Sequence, residues 1–203
     1  MRMSILNNCA MKKLSKEYWS SRYNEKDMPW DAGTVTLPIK EYVDQLKNKR
    51  LKILIPGVGA GHELIYLYEN GFKNVYGLDL SEEPLRLFQK NNPQFPKNQL
   101  IVSDFFEHKD TYDLILEQTF FCALSPNLRS KYVDKMFELL EENGTLAGVL
   151  FDFPLTTQGP PFGGSRDEYE KLFTVKFKSN TLEKCYNSIK PRKNKELFII
   201  IKK

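Results

Sequence analysis

Histidine and cysteine are scarce in this chain of 203 residues, which has two histidines and three cysteines. His62 and His108 are too few for a histidine-rich metal site or for a mechanism that uses a pair of histidines. Cys9, Cys122 and Cys185 are odd in number and never stand at CxxC spacing, which argues against zinc ribbons, thioredoxin-like sites and disulfide scaffolds. We therefore predict free thiols in a reducing compartment and no metal site.

Long apolar runs and a strong excess of charge are also missing. The longest apolar run, residues 197–201, is far shorter than the roughly 20 residues of a membrane helix, and the N-terminus has no apolar signal core. The net charge of +4 is too small to indicate a basic groove for nucleic acid. We predict a soluble, cytoplasmic and monomeric protein that acts on a small molecule and has no nucleic-acid or membrane partner.

Hydrophobic residues make up 41% of the chain, enough to fill one core. From residue 50 onward, short apolar runs alternate with helical patterns. Strands are predicted at residues 51–55, 75–78, 99–102, 112–116, 146–153, 173–177 and 197–201, and helices at residues 62–70, 82–91, 125–143 and 166–172. This alternation predicts an α/β fold with a doubly wound, mostly parallel seven-stranded sheet and right-handed crossovers. We expect a single domain over residues 1–203, with residues 50–203 as its core and residues 1–49 as an N-terminal segment.

A glycine-rich turn joins the first predicted strand to the first predicted helix of this core. Its sequence, Pro56-Gly57-Val58-Gly59-Ala60-Gly61, lets backbone N–H groups approach a ligand closely. Asp79 ends the second strand, where an acid can accept hydrogen bonds from both hydroxyls of a ribose. The alternative interpretation is a tight strand–helix turn and a helix-capping aspartate. Glu63, in the first helical turn, disfavours the pyrophosphate of a nicotinamide cofactor and suits a cationic sulfonium ligand.

Further motifs run through nearly the whole chain from residue 14. They are Tyr18-Trp19-x-x-Arg22-Tyr23, Pro29-Trp30-Asp31-x-Gly33, the glycine turn continued by His62-Glu63, Gly77-Leu78-Asp79-Leu80-Ser81, Tyr112-Asp113-Leu114-Ile115, Thr119-Phe120-Phe121-Cys122-Ala123-Leu124, Gly159-Pro160-Pro161-Phe162 and Pro191-Arg192-Lys193. Together they resemble the thiopurine S-methyltransferase-like family, which includes the plant halide and thiol methyltransferases. The resemblance implies a Rossmann-like class I S-adenosylmethionine (SAM) methyltransferase fold. It also implies an antiparallel C-terminal strand and an N-terminal helical extension over the cofactor.

The resemblance also implies which residues bind the cofactor SAM and the methyl acceptor. The cofactor-binding residues it implies are Trp19, Tyr23 and Trp30 over the sulfonium, Gly57 and Gly59 on the methionine side, Asp79 and Leu80 at the ribose, Asp104 and Phe105 at the adenine, and Gln118 after the fourth strand. The residues expected to line the acceptor pocket are Trp30, Phe120, Phe121, Pro160, Pro161 and Phe162. No residue is predicted to be catalytic, because a soft nucleophile such as a thiolate or halide needs no deprotonation. No residue is predicted to bind a metal. The implied reaction is in-line methyl transfer that releases S-adenosylhomocysteine.

Other interpretations of the same residues stay open at this stage. The two tryptophans could simply attach the N-terminal segment to the core, and the Phe-Phe-Cys run could be core packing. The basic residues from 190 to 195 favour a solvated hairpin, and His62 favours a helix-capping role. For the whole chain, the alternatives are a non-catalytic SAM-binding module, a small-molecule O- or N-methyltransferase, and a nicotinamide oxidoreductase, which the GxGxG spacing and Glu63 disfavour.

Overall fold

The computed structural model describes residues 14–203, so Cys9 and the first part of the predicted N-terminal segment lie outside the described residues. Helices and strands alternate along the described chain. They are α1 (Lys16–Asn24), α2 (Leu37–Asp44), β1 (Ile53–Pro56), α3 (His62–Glu69), β2 (Val75–Asp79), α4 (Glu82–Asn91), β3 (Leu100–Val102), β4 (Tyr112–Gln118), α5 (Arg129–Leu139), β5 (Leu140–Phe151), α6 (Arg166–Phe173), β6 (Ser179–Lys184) and β7 (Glu196–Lys202).

The strands form one seven-stranded sheet in the order β3-β2-β1-β4-β5-β7-β6. The pairs from β3 to β5 are parallel, and only β7 runs antiparallel to its neighbours β5 and β6. The predicted α/β class, the mostly parallel sheet and the antiparallel C-terminal strand are therefore confirmed. The strand order reverses between β1 and β4, which is where open α/β sheets bind ligands.

Both faces of the sheet are covered, as strand β1 illustrates. Ile53 and Ile55 pack into one apolar cluster with helices α2, α3 and α4, whereas Leu54 points into a second cluster with α5 and α6. All three side chains are almost fully buried, because a parallel strand with helices on both sides exposes neither face. This packing holds the carboxyl ends of β1 to β4 in a row at one edge.

The predicted strand at residues 173–177 is wrong. Phe173 ends helix α6, and Phe177 lies one helical turn further on, so both rings are buried while Val175 between them is 76% exposed. The actual strand, β6, is polar and buries only Leu182, because it forms the edge of the sheet and has one neighbour. Alternation of apolar residues therefore favoured the wrong segment.

The helix predicted to stop near residue 143 ends earlier, at Leu139. Strand β5 begins at once, and its pairing with β4 shifts register between the Tyr112–Leu140 and Leu114–Thr145 pairs. Asn143, with a left-handed φ of 65°, lies in this irregular stretch. The Asn-Gly pair thus marks a bulge within the strand rather than the end of the helix.

Candidate active site

The glycine turn after β1 has the backbone conformation that its sequence predicts. Gly57 and Gly59 have φ angles of 62° and 56°, in the left-handed region that favours glycine. A Cβ atom on Gly57 would lie 2.5 Å from Cδ2 of Phe120, and one on Gly59 would lie 3.6 Å from the hydroxyl of Tyr23. Side chains at these positions would occupy space between the turn and the aromatic residues that face it.

Asp79 links the turn after β2 to the glycine turn. Its Oδ1 accepts a hydrogen bond from the backbone N–H of Ser81 at 2.9 Å, and its Oδ2 accepts one from Gly59 N–H at 3.3 Å. The carboxyl is 7% exposed, and this burial raises its pKa to about 6, although the backbone donors oppose the shift. Asp79 is therefore a buried acid with free acceptor capacity at the edge of a cavity.

That cavity has a volume of about 700 Å³, within the range of small-molecule sites. The residues on its walls come from the N-terminal segment, the carboxyl ends of β1 to β5, the loop before α6 and the loop before β7. Of the residues predicted from the sequence, Trp19, Tyr23, Trp30, Gly57, Asp79, Leu80, Asp104, Phe105, Phe120, Pro160 and Pro161 line it. The structure thus brings most of the predicted positions to one place.

Four predicted positions lie elsewhere. Gly59 and Gln118 line a smaller neighbouring cavity of about 40 Å³. Phe121 is 1% exposed and packs into the core behind the wall, so its predicted place in the acceptor pocket is not what the structure shows. Phe162 contacts the wall from behind, donating its backbone N–H to the carbonyl of Cys122 at 2.8 Å. Both residues lie beyond the end of β4: Phe120 faces the cavity, whereas Phe121 begins a short 3₁₀ helix and packs into the core.

The smaller cavity has both hydrogen-bond donors and carboxylates on its walls. Gln118 Oε1 accepts a hydrogen bond from Thr36 Oγ1 at 2.8 Å, while its buried Nε2 has no partner within residues 14–203. His62 Nε2 lies 2.7 Å from Asp31 Oδ1, so this histidine contacts the N-terminal segment instead of capping its helix. Burial raises the pKa of Glu63 beside them. An unpartnered amide donor next to carboxylates suits a ligand end that carries both a carboxylate and an ammonium group.

The aromatic residues of the N-terminal segment form one cluster over the larger cavity. Trp30 makes edge-to-face contacts with Trp19 and Tyr23, with ring centroids 5.6 and 5.9 Å apart. Ser20 fastens helix α1 to the start of α4 through a hydrogen bond of 2.8 Å to Glu83. Ring faces at this position can stabilise a cationic ligand.

Arg192 is a site residue that the sequence interpretation missed. It lies in the basic stretch expected to be solvated, yet it is 8% exposed and lines both cavities. Its Nη2 donates to the backbone carbonyl of Trp30 at 2.6 Å, and its Nη1 lies 3.7 Å from Glu196. These two partners hold the guanidinium inside. The signal available in the sequence was the Pro191-Arg192-Lys193 motif, which the charge-run interpretation outweighed.

A continuous row of rings joins the cavity wall to the core. We call Phe105, Phe120, Tyr132, Phe121 and Tyr169 the aromatic row. Neighbouring centroids along it are separated by 5.0 Å (Phe105 and Phe120), 5.8 Å (Phe105 and Tyr132), 4.8 Å (Phe121 and Tyr132) and 5.6 Å (Phe121 and Tyr169). Each contact lies in the range of favourable ring pairs.

Sequence comparison places these features in a family. A sequence model of the thiopurine S-methyltransferase (TPMT) family matches residues 14–201. The chain belongs to this family. Among its curated relatives, thiocyanate methyltransferase 1 of Arabidopsis thaliana is 30% identical over 184 residues, covering 88% of this chain and 81% of the relative. Thiopurine S-methyltransferase of Photobacterium profundum is 24% identical over 177 residues, covering 79% and 83%.

Solved structures agree with the fold of this thiopurine S-methyltransferase family member. Burkholderia thailandensis 1,6-didemethyltoxoflavin-N1-methyltransferase, solved with S-adenosylhomocysteine, superposes with a TM-score of 0.73 at 16% identity and covers 93% of this chain and 86% of its own. Magnesium protoporphyrin IX methyltransferase of Synechocystis, also with S-adenosylhomocysteine, gives a TM-score of 0.68 at 16% identity, covering 93% and 97%. The chain is thus a SAM-dependent methyltransferase with the class I fold.

Two findings bear on the predicted absences. Within the described residues, no three histidine, cysteine, aspartate or glutamate side chains are grouped as a metal site would require. None of the helices between residues 14 and 203 is both long and apolar enough to cross a membrane.

Proposed function

We propose that this methyltransferase transfers the methyl group of SAM to a small soft nucleophile by in-line displacement, without a dedicated general base. The acceptors in view are a thiol or thiopurine sulfur, bisulfide or a halide. The observation that carries the proposal is the composition of the larger cavity. Among the described residues that line it there is no histidine, and its two carboxylates, Asp79 and Asp104, both lie at the end assigned to the cofactor.

The residues present fit SAM. When bound, SAM supplies an electrophilic methyl group on a cationic sulfonium. Asp79 would accept from the ribose hydroxyls, while Asp104 and Phe105 would hold the adenine ring. The unpartnered amide of Gln118 would donate to the carboxylate of the methionine moiety, which explains why a buried donor is left without a protein partner. The aromatic cluster around Trp30 would lie over the sulfonium charge.

The acceptor end of the cavity is mostly apolar and carries a positive charge. Phe120, Phe153, Pro160 and Pro161 form its walls, and the guanidinium of Arg192 reaches into it. Apolar walls remove water from an incoming anion and so leave its lone pair free to attack. The Arg192 guanidinium, which also lies 3.7 Å from Glu196, would offset part of the loss of hydration of that anion. Such a pocket favours a nucleophile that is already anionic and weakly hydrated.

Two side chains that could act as bases are held in their protonated forms. Burial raises the pKa of the Cys122 thiol, and burial and the Asp79 carboxylate raise the pKa of the Tyr23 hydroxyl. Neither group can therefore take a proton from an acceptor at neutral pH. A neutral phenol or a protonated amine would enter this site without a partner to deprotonate it.

The test is the release of S-adenosylhomocysteine from SAM with iodide, thiocyanate, bisulfide, a small thiol and a thiopurine, alongside a phenol and an amine. With SAM held at saturation at every pH, so that the titration of Asp79 does not enter, and with no enzyme base, kcat/KM for each thiol should rise tenfold per pH unit below that thiol's own pKa and then level off. The break should move with the acceptor, and iodide should show no such break. Asp79→Ala should weaken SAM binding and so lower turnover at limiting SAM, while Asp113→Ala, at an exposed aspartate near the start of β4, should not.

The proposal has clear contrary outcomes. Turnover confined to the phenol or the amine would replace it with O- or N-methyl transfer. With SAM saturating, a break at one fixed pH for all thiols that persists in Glu117→Gln would reveal an enzyme base. Tight SAM binding with no product from any acceptor would indicate a non-catalytic binding module.

A further inference from the structure

Glu117 is a buried carboxylate that the mechanism does not use. It lies near the end of β4, is 1% exposed, and is absent from the lining of the larger cavity. Within residues 14–203 its polar partners are neutral hydrogen-bond donors, and no cation pairs with it. An isolated buried carboxylate is costly unless several donors surround it, so its retention requires an explanation.

Three donors converge on this carboxylate. Oε1 accepts the backbone N–H groups of Phe120 and Phe121 at 2.8 and 2.9 Å. Oε2 accepts the hydroxyl of Tyr132, on helix α5, at 2.7 Å. One carboxylate thus ties two successive peptide groups to the helix behind them.

The peptide groups follow a strained residue. Thr119 has a φ of 58°, in the left-handed region, which is unfavourable for a β-branched side chain. Such strain persists only where surrounding contacts hold the backbone in place. The two hydrogen bonds to Glu117 come directly after Thr119 and supply that restraint. We call residues 119–123 the acceptor turn.

The acceptor turn carries one wall of the acceptor pocket and fastens the other. The ring of Phe120 lines the cavity and lies close over Gly57. The carbonyl of Cys122 accepts the backbone N–H of Phe162 at 2.8 Å, next to the two prolines that line the opposite wall. A shift of the turn would therefore move both walls, whereas Asp79 lies on a different strand, β2.

We propose that Glu117 is a positioning residue: its carboxylate, held by Tyr132, fixes the acceptor turn and thereby the separation of the two walls of the acceptor pocket. This role rests on the proposed function in one respect: the predicted change is in the KM of the methyl acceptor. It predicts an effect on acceptor KM that is separate from cofactor affinity.

The test uses a matched pair of tyrosine variants on the same strand–helix layer. Tyr132→Phe removes the hydroxyl that holds Glu117, and Tyr112→Phe removes the hydroxyl of an equally buried side chain, bonded to His108 at the other end of β4. Glu117→Gln, which keeps an acceptor for the two N–H groups, is the conservative variant, and Glu117→Ala removes it. The readouts are hydrogen exchange of a peptide covering the acceptor turn, KM for the best acceptor, and the affinity for S-adenosylhomocysteine.

The expected results separate positioning from stability. Glu117→Ala should speed exchange at residues 120 and 121 by about tenfold or more, the ratio for losing hydrogen bonds to a charged group. Tyr132→Phe should raise exchange and acceptor KM several-fold, roughly as for one lost hydrogen bond, while cofactor affinity stays within about twofold. Glu117→Gln should fall between wild type and Glu117→Ala. Tyr112→Phe should change neither hydrogen exchange in the acceptor turn nor acceptor KM, even if it lowers the melting temperature as much as Tyr132→Phe does.

Two results would overturn the inference. One is unchanged exchange at residues 120 and 121 in both Glu117→Ala and Tyr132→Phe. The other is equal loss of activity in the two tyrosine variants, in proportion to their loss of stability. Should wild-type protein turn over none of the soft nucleophiles, the proposed function fails, and the exchange measurement still decides the role of Glu117.

Discussion

The affinity for the cofactor product should depend on pH through Asp79. Burial raises the pKa of this carboxyl to about 6 in the free protein, and only its ionised form can accept from both ribose hydroxyls. At pH 5 about one molecule in eleven has the ionised form, against nearly all at pH 8. If binding requires that form, the dissociation constant for S-adenosylhomocysteine at pH 5 is about tenfold larger than at pH 8, which corresponds to about 1.4 kcal/mol.

Calorimetric titrations with S-adenosylhomocysteine at pH 5, 6, 7 and 8 would measure this change. The sign is set by the raised pKa: affinity grows as pH rises through about 6 and is constant above about 7. Asp79→Asn should bind more weakly at every pH and should lose the component that titrates near 6, which separates Asp79 from other groups such as Glu63. An affinity for wild type that is flat from pH 5 to 8, or an equal slope in Asp79→Asn, would refute the assignment of Asp79 to the ribose.

Three further outcomes follow from the geometry. Gly57→Ala should destabilise the protein by about 2–4 kcal/mol and weaken cofactor binding, because the added Cβ meets Phe120. The control is Gly71→Ala, at a glycine with φ of 90° and nothing within 4 Å of an added Cβ. It should cost only about 1–2 kcal/mol of backbone strain, as measured by thermal unfolding. Burial raises the pKa of Glu117 to about 7, so the folded state opposes ionisation of this carboxyl. As pH rises from 4.5 to 7, wild type should therefore lose roughly 3 kcal/mol of stability relative to Glu117→Gln, as measured by urea unfolding. A difference in unfolding free energy that stays constant over this pH range would contradict the prediction. Both tryptophans of the chain line the cavity, so S-adenosylhomocysteine should change the intrinsic fluorescence, with an unchanged spectrum at saturation as the contrary result.

The sequence pattern predicted the part of the site whose residues lie close together in the chain. The glycine turn and Asp79 follow buried strands directly, and strand, turn, helix and acid are all contiguous in the chain. Contacts between distant segments were harder to foresee. Arg192 is buried partly because it donates to the carbonyl of Trp30 in the N-terminal segment, and a run of basic residues contains no sign of that partner.

The partners of Glu117 could not be predicted from its own segment either. An acid near the end of an otherwise apolar strand signals a buried carboxylate, but its donors come from the following turn and from Tyr132 on a later helix. The misplaced strand at residues 173–177 has a related cause, since Phe173 and Phe177 alternate with polar residues yet pack one helical turn apart. Periodicity describes one segment, whereas burial depends on which segments meet.

The aromatic row has a consequence for attempts to change acceptor preference. Phe105 borders the adenine end, Phe120 borders the acceptor end, and their rings are in direct contact and share Tyr132 as a neighbour. Substitutions at residues in contact are not additive, so the effect of enlarging the pocket at Phe120 depends on the side chain at Phe105. Attempts to enlarge the acceptor pocket should therefore vary residues of the row in pairs, because the first change alters which second change is tolerated.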